Sequence, residues 1–160
     1  MAVSAKLQVP AGPWGVPVTL QTLAIPVLVA LLGRNLATAA VIVYLGEGLS
    51  GLPFFATGSY LTTGGYLLAF PAAAFAIGLL YERWSRTYVE RFGAVFLGTS
   101  VVFAGGAAWL TAFVTHDVVR AVQIGVLPFL IGDAAKCLVA AAVRPRRHPE
   151  PLRQAQGLGR

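Results

Sequence analysis

Residues 92–115 read FGAVFLGTSVVFAGGAAWLTAFVT, an unbroken run without one charged side chain. A helix rises 1.5 Å per residue, so roughly 20 apolar residues cross the ~30 Å hydrocarbon core of a bilayer. This run alone is long enough to do so. Working outward, the pattern recurs: Leu7 to Gly33 is uncharged, Asn35 to Tyr81 carries only Glu47, and Ala121 to Gly132 is uncharged again. Over the whole chain of 160 residues, 57% are hydrophobic and 11% charged. Soluble domains carry about a quarter charged residues, so less than half the usual charge remains. That is the composition of an integral membrane protein. It excludes a disordered acceptor, and the single Cys excludes a disulfide framework. The reading is an all-α integral membrane protein with five predicted transmembrane helices, near 18–33, 35–52, 64–82, 92–114 and 129–144.

The placement of the basic residues orients the chain. The net charge of +6 does not point to nucleic acid, because its carriers follow the membrane pattern. Arg34, Arg83, Arg86, Arg91, Arg144, Arg146, Arg147, Arg153 and Arg160 fall on one side of the five spans, and only Lys6, Arg120 and Lys136 on the other. The positive-inside rule then puts the N-terminus outside and the C-terminus in the cytosol. Residues 1–17, broken by Pro10, Pro13 and Pro17, read as an extracellular loop. Residues 18–144 form the transmembrane substrate-binding domain, and the Pro- and Arg-rich stretch 145–160 reads as a disordered, basic cytosolic tail. Three segments meet on the outer side: the N-terminal loop, the 53–63 connection and 115–133. Irregular backbone at membrane depth requires cover by protein or a cavity, so a pocket opening outward beneath these segments is expected.

The sharpest candidate site lies in the run Leu127 to Lys136, LPFLIGDAAK. Pro128 and Gly132 are expected to delimit a turn, and Asp133 to begin the last helix, capping it with its carboxylate. Lys136, three residues on, shares that helix face. Ionisable groups at the bilayer edge are costly and point by default to a site; the bland alternative is a capping pair with no ligand. An acceptor and a donor a helical turn apart suit a ligand of both polarities. A cyclic urea offers N–H groups for Asp133 and a carbonyl for Lys136, while a ligand carboxylate would pair with Lys136 instead. A second candidate is the stretch Gly51 to Tyr66, where small residues admit close backbone approach and Tyr60 and Tyr66 offer ring faces with polar tips. A third is Gln21, with Thr19 and Thr22, at the outer end of the first span. Glu47 is expected to face the bundle or water. No phosphate loop, nucleophile elbow or His-Glu-x-x-His motif occurs, so neither an enzyme nor a cofactor or metal site is indicated.

Taken in order, PVTLQTL at 17–23, GLPFFA at 51–56, TGGYLLAF at 63–70 and LPFLIGDAAK at 127–136 resemble the BioY family, the biotin-capturing S-components of energy-coupling-factor (ECF) vitamin transporters. The resemblance implies an outward-facing biotin site in the plasma membrane of a prokaryotic cell. It also implies a transmembrane coupling subunit and two ABC-type ATPase subunits as partners. It maps the family's acid and base onto Asp133 and Lys136, and its pocket-lining turn onto Thr63, Gly64, Gly65 and Tyr66. The preceding loop, Thr57, Gly58, Ser59 and Tyr60, extends that lining. The family has six helices; this sequence reads as the same bundle lacking the first. Thr62 and Ile131 stand where the family often has Pro. An S-component for thiamin or riboflavin and a non-transporting membrane scaffold are the rival readings.

Overall fold

The computed structural model describes residues 1–9, 18–55 and 60–145. The architecture is helical: α1 (Ala2–Lys6), α2 (Gln21–Leu32), α3 (Arg34–Leu49), α4 (Tyr60–Arg83), α5 (Tyr88–Leu110), α6 (Val118–Gly125) and α7 (Leu127–Ala142). A two-residue antiparallel ladder pairs Gln8 with Thr19 and Val9 with Val18. The N-terminal segment, read above as a loop, therefore opens with a short helix and a ladder that ties it to the start of α2.

A helix stands at each of the five expected spans. By length and composition, Leu61–Arg83 and Tyr88–Thr115 are able to cross a membrane among the described residues, and the α6–α7 pair, bent by 46°, makes a third if it counts as one span. The turn between α2 and α3 needs glycine, because Gly33 sits at φ 79°, where a Cβ is strained. Thr87 starts α5 with a capping box: its hydroxyl accepts from Glu90 N, and the Glu90 carboxylate accepts from Thr87 N. One π turn, Thr111–Thr115, prolongs α5, and Asp117 caps α6 by accepting from Val119 N and Arg120 N.

The start of α7 corrects the expectation. The helix begins at Leu127, with Pro128 in its first turn. Proline there sacrifices an N–H that has no intrahelical acceptor anyway. Gly132 lies within the helix with open space where a Cβ would stand. Pro128 and Gly132 therefore bracket no turn. Asp133 is not a cap; it sits six residues in, roughly 9 Å along the axis.

Packing is tightest between α4 and α5. A Cβ on Gly65 would meet the Trp109 side chain and the Gly105 carbonyl, and one on Gly98 would meet Ile77. Small residues let these two backbones approach, the usual device for helices in lipid. The core comprises Ile25, Val29, Val41, Phe70, Ile77, Val95, Val102 and Leu110, with Phe129 and Cys137 from α7. Leu36, Ile42, Val43, Leu68, Leu97 and Val139 face outward, the surface that hydrocarbon would cover.

Candidate functional site

The geometry of α7 places Asp133 and Lys136 on its inner face, against the start of α2. Asp133 is 4% exposed. Its Oδ2 accepts a long S–H bond from Cys137 (3.7 Å), one turn further on. Its Oδ1 is buried and has no hydrogen-bond donor among the described residues. The Lys136 ammonium stands 3.9 Å from it, too far for a hydrogen bond. Lys136 instead donates to the Thr19 carbonyl (2.7 Å) and to Thr22 Oγ1 (3.0 Å). The lysine is thereby held at the start of α2, where Thr19 and Thr22 stand.

Thr19 passes the connection on. Its hydroxyl donates to Gln21 Oε1 (3.0 Å), Gln21 Nε2 donates to Tyr44 Oη (2.8 Å), and the Tyr44 hydroxyl donates to the Phe54 carbonyl (3.1 Å). Lys6 closes the same region by donating to the Phe55 carbonyl (3.2 Å). Gln21 is itself buried, at 3%. Its amide is satisfied at both ends, as a buried polar group requires. One network thus joins α7, α2, α3 and the 50–55 segment, and among the described residues its one buried polar atom without a hydrogen-bond partner is Asp133 Oδ1.

Of the residues named from the sequence, the structure brings Asp133, Lys136 and Gln21 together. Thr63, Gly64, Gly65 and Tyr66 form no turn; they lie in the first two turns of α4. Gly64 and Gly65 abut Trp109 of α5, so their smallness serves helix packing. Tyr66 is buried and donates to the Gly125 carbonyl (2.7 Å), anchoring α4 to the end of α6. Tyr60 is the first residue of α4, and Thr57, Gly58 and Ser59 lie outside the described residues. Glu47 is exposed on α3, away from the network.

Thr19 and Thr22, named with Gln21 at the end of the first span, are the direct partners of Lys136. Two participants, Tyr44 and Cys137, are not among the site residues named from the sequence. The signal for Tyr44 would have been its place among the buried i, i+3, i+4 positions of α3, Val41, Tyr44, Leu45 and Gly48.

Chemically, the site offers an unspent carboxylate oxygen, screened from bulk water, beside an ammonium with two of its three protons committed. It suits a ligand that brings N–H donors to Asp133 and one acceptor oxygen to Lys136.

Comparison with known proteins places this geometry in context. The model of the BioY family matches residues 1–151. The chain is 35% identical over 152 residues to the biotin transporter BioY of Thermotoga maritima, covering 91% of this chain and 88% of that protein. It is 30% identical over 145 residues to biotin transporter BioY2 of Lactococcus lactis subsp. cremoris, with 87% and 79% covered. A crystal structure of the S-component for biotin from an ECF-type ABC transporter superposes with a TM-score of 0.80 at 27% identity, over 89% of this chain and 81% of the other.

Proposed function

The chain belongs to the BioY family, and from that premise we propose that it is the membrane subunit that binds biotin for an ECF-type vitamin uptake transporter. It is a membrane protein and a transport component, not an enzyme. Asp133 Oδ1 is the observation that carries the assignment of the site. A buried acceptor left without a donor costs about 1–3 kcal/mol, a cost that a ureido N–H donating to it would remove. Lys136, fixed by Thr19 and Thr22, has one proton left for an oxygen of the same ligand. Gln21 and Tyr44 hold the α2 and α3 ends in register around that pair. Tyr66, Gly64 and Gly65 act one layer back, by setting how closely α4 approaches α5 and α6. Thr63 and Tyr60 lie in the first turn of α4, at the end that the proposed topology makes outer.

The topology follows from the charges: N-terminus outside, C-terminus in the cytosol, the biotin site facing out. The sequence carries no phosphate-loop motif, and in this reading a transmembrane coupling subunit and two ABC-type ATPases supply the energy for the inward step. Radiolabelled biotin binding to the detergent-purified chain tests the reading. Submicromolar affinity, about −8 kcal/mol or tighter, is expected for the parent, with a large loss in both Asp133→Asn and Lys136→Ala. Thiamin or riboflavin binding in place of biotin would retain the transporter and change its cargo. No vitamin bound at all would leave a scaffold.

A further inference from the structure

A second cluster sits at the opposite end of the bundle. A cleft of about 570 Å³ opens where the α4–α5 turn meets the end of α7, lined by Ser85, Arg86, Arg91, Arg144 and Pro145. Its wall is built by Arg91, only 7% exposed. The Arg91 guanidinium donates through Nε to the Ala141 carbonyl (2.7 Å) and through Nη1 to the carbonyls of Ser85 (3.4 Å) and Arg86 (3.5 Å). Nη2 has no protein acceptor among the described residues. α7 ends at Ala142 with Val143 in extended backbone, and the exposed Arg144 follows in the lining of the cleft.

No carboxylate answers these three charges among the described residues, where the ion pairs are Arg34–Glu82 and Lys136–Asp133. The nearest acid in sequence, Glu90, is occupied: its Oε2 accepts from the backbone N–H groups of Arg86 (2.8 Å) and Thr87 (3.1 Å). Three arginines lining one cleft without a counter-charge among the described residues match an anion with several acceptor oxygens. Guanidinium forks fit phosphate in that way. The exposed Tyr88 ring lies 5.9 Å from the Arg91 guanidinium carbon, and the exposed Trp84 directly precedes Ser85 in the chain; such aromatics are common where a bundle meets the headgroup layer. The cleft is larger than a bare phosphate needs.

We infer that this Arg-lined cleft is a phosphate-binding site occupied by the headgroup of an anionic phospholipid. Basic pockets between helices at the membrane boundary bind such headgroups. The cleft lies on the side that the proposed topology makes cytosolic, and it is separate from the vitamin site.

Native mass spectrometry of the full chain, purified in detergent and offered equal phosphatidylglycerol and phosphatidylcholine, tests this. The parent is expected to retain phosphatidylglycerol about tenfold over phosphatidylcholine, a preference set by charge-assisted bonds. The double variant Arg86→Gln, Arg144→Gln is expected to fall near parity. Arg120→Gln, a loss of charge on α6 outside the lining of the cleft, should keep the preference. Retention of the preference by the double variant, or none in the parent, would overturn the proposal. Displacement of the lipid by millimolar inorganic phosphate would support the phosphate chemistry and overturn the lipid as its source. A preference emerging only after Glu150→Gln would show that a carboxylate of the chain holds the cleft, and would overturn both.

Discussion

Replacing Lys136 by Met separates a working charge pair from an incidental one. The ammonium lies 3.9 Å from Asp133 Oδ1, and the aspartate side chain is 5% exposed. At about 4 Å, with an effective dielectric near 20, the attraction is about 4 kcal/mol. Breaking a buried pair from one side costs about 3–5 kcal/mol, because the other charge stays behind. Lys136→Met also strips the Thr19 carbonyl of its donor. A loss of about 3–5 kcal/mol in unfolding free energy is therefore expected for Lys136→Met. Asp133→Asn is milder, about 1–3 kcal/mol, since Lys136 keeps Thr19 and Thr22. The double variant should be more stable than Lys136→Met alone, with a coupling of about 2–3 kcal/mol. Reversible unfolding in one detergent, followed by helical circular dichroism, measures all four corners of the cycle. Biotin binding should be lost at three of them, including the stabilised double variant. Lys136→Met within about 0.5 kcal/mol of the parent, or simple additivity in the double variant, would refute the reasoning.

Gly65→Ala and Gly106→Ala should each cost about 1–3 kcal/mol by overpacking, because the new methyl meets Trp109 and the Gly105 carbonyl in one case and the Tyr66 ring in the other. Gly132→Ala, with nothing within 4 Å of its added methyl, should be neutral or gain up to about 1 kcal/mol; thermal unfolding ranks the three. Thr87→Ala removes the α5 cap and should lower stability by about 1 kcal/mol, read in the same assay. Ser4→Cys should react with a membrane-impermeant thiol reagent on intact cells. The background is low because the native Cys137 is buried; labelling only after permeabilisation would reverse the proposed topology.

The membrane class and the order of the helices were legible because charge is so scarce that long apolar runs stand out between the few charged residues. The start of α7 was not. Proline and glycine carry two meanings in a helix: Pro128 fits a first turn as well as it ends a helix, and Gly132 marks open surface as readily as a bend. In Gly64-Gly65 the same ambiguity ran the other way, since residues that permit a turn also permit close packing, and Trp109 decides between them only in three dimensions. The i, i+3 relation of Asp133 and Lys136 survived the error, because it depends on helical register and not on where the helix begins.

The partners of Lys136 could not be read in the same manner, for Thr19 and Thr22 are 117 and 114 residues away along the chain. Only the docking of α7 on α2 brings them near. That docking gives the pair its mechanical meaning. The carbonyl of Thr19 holds Lys136, while its hydroxyl holds Gln21, and Gln21 holds the tyrosine that anchors Phe54. In the proposed site, a ligand that draws the ammonium toward itself would have to stretch or replace the bond to Thr19. The strain would then fall on Gln21 and Tyr44, the groups that fasten the 50–55 segment. From one position the ammonium ties the helix that carries the carboxylate to the start of α2, and by the proposed reading it would meet the ligand there as well.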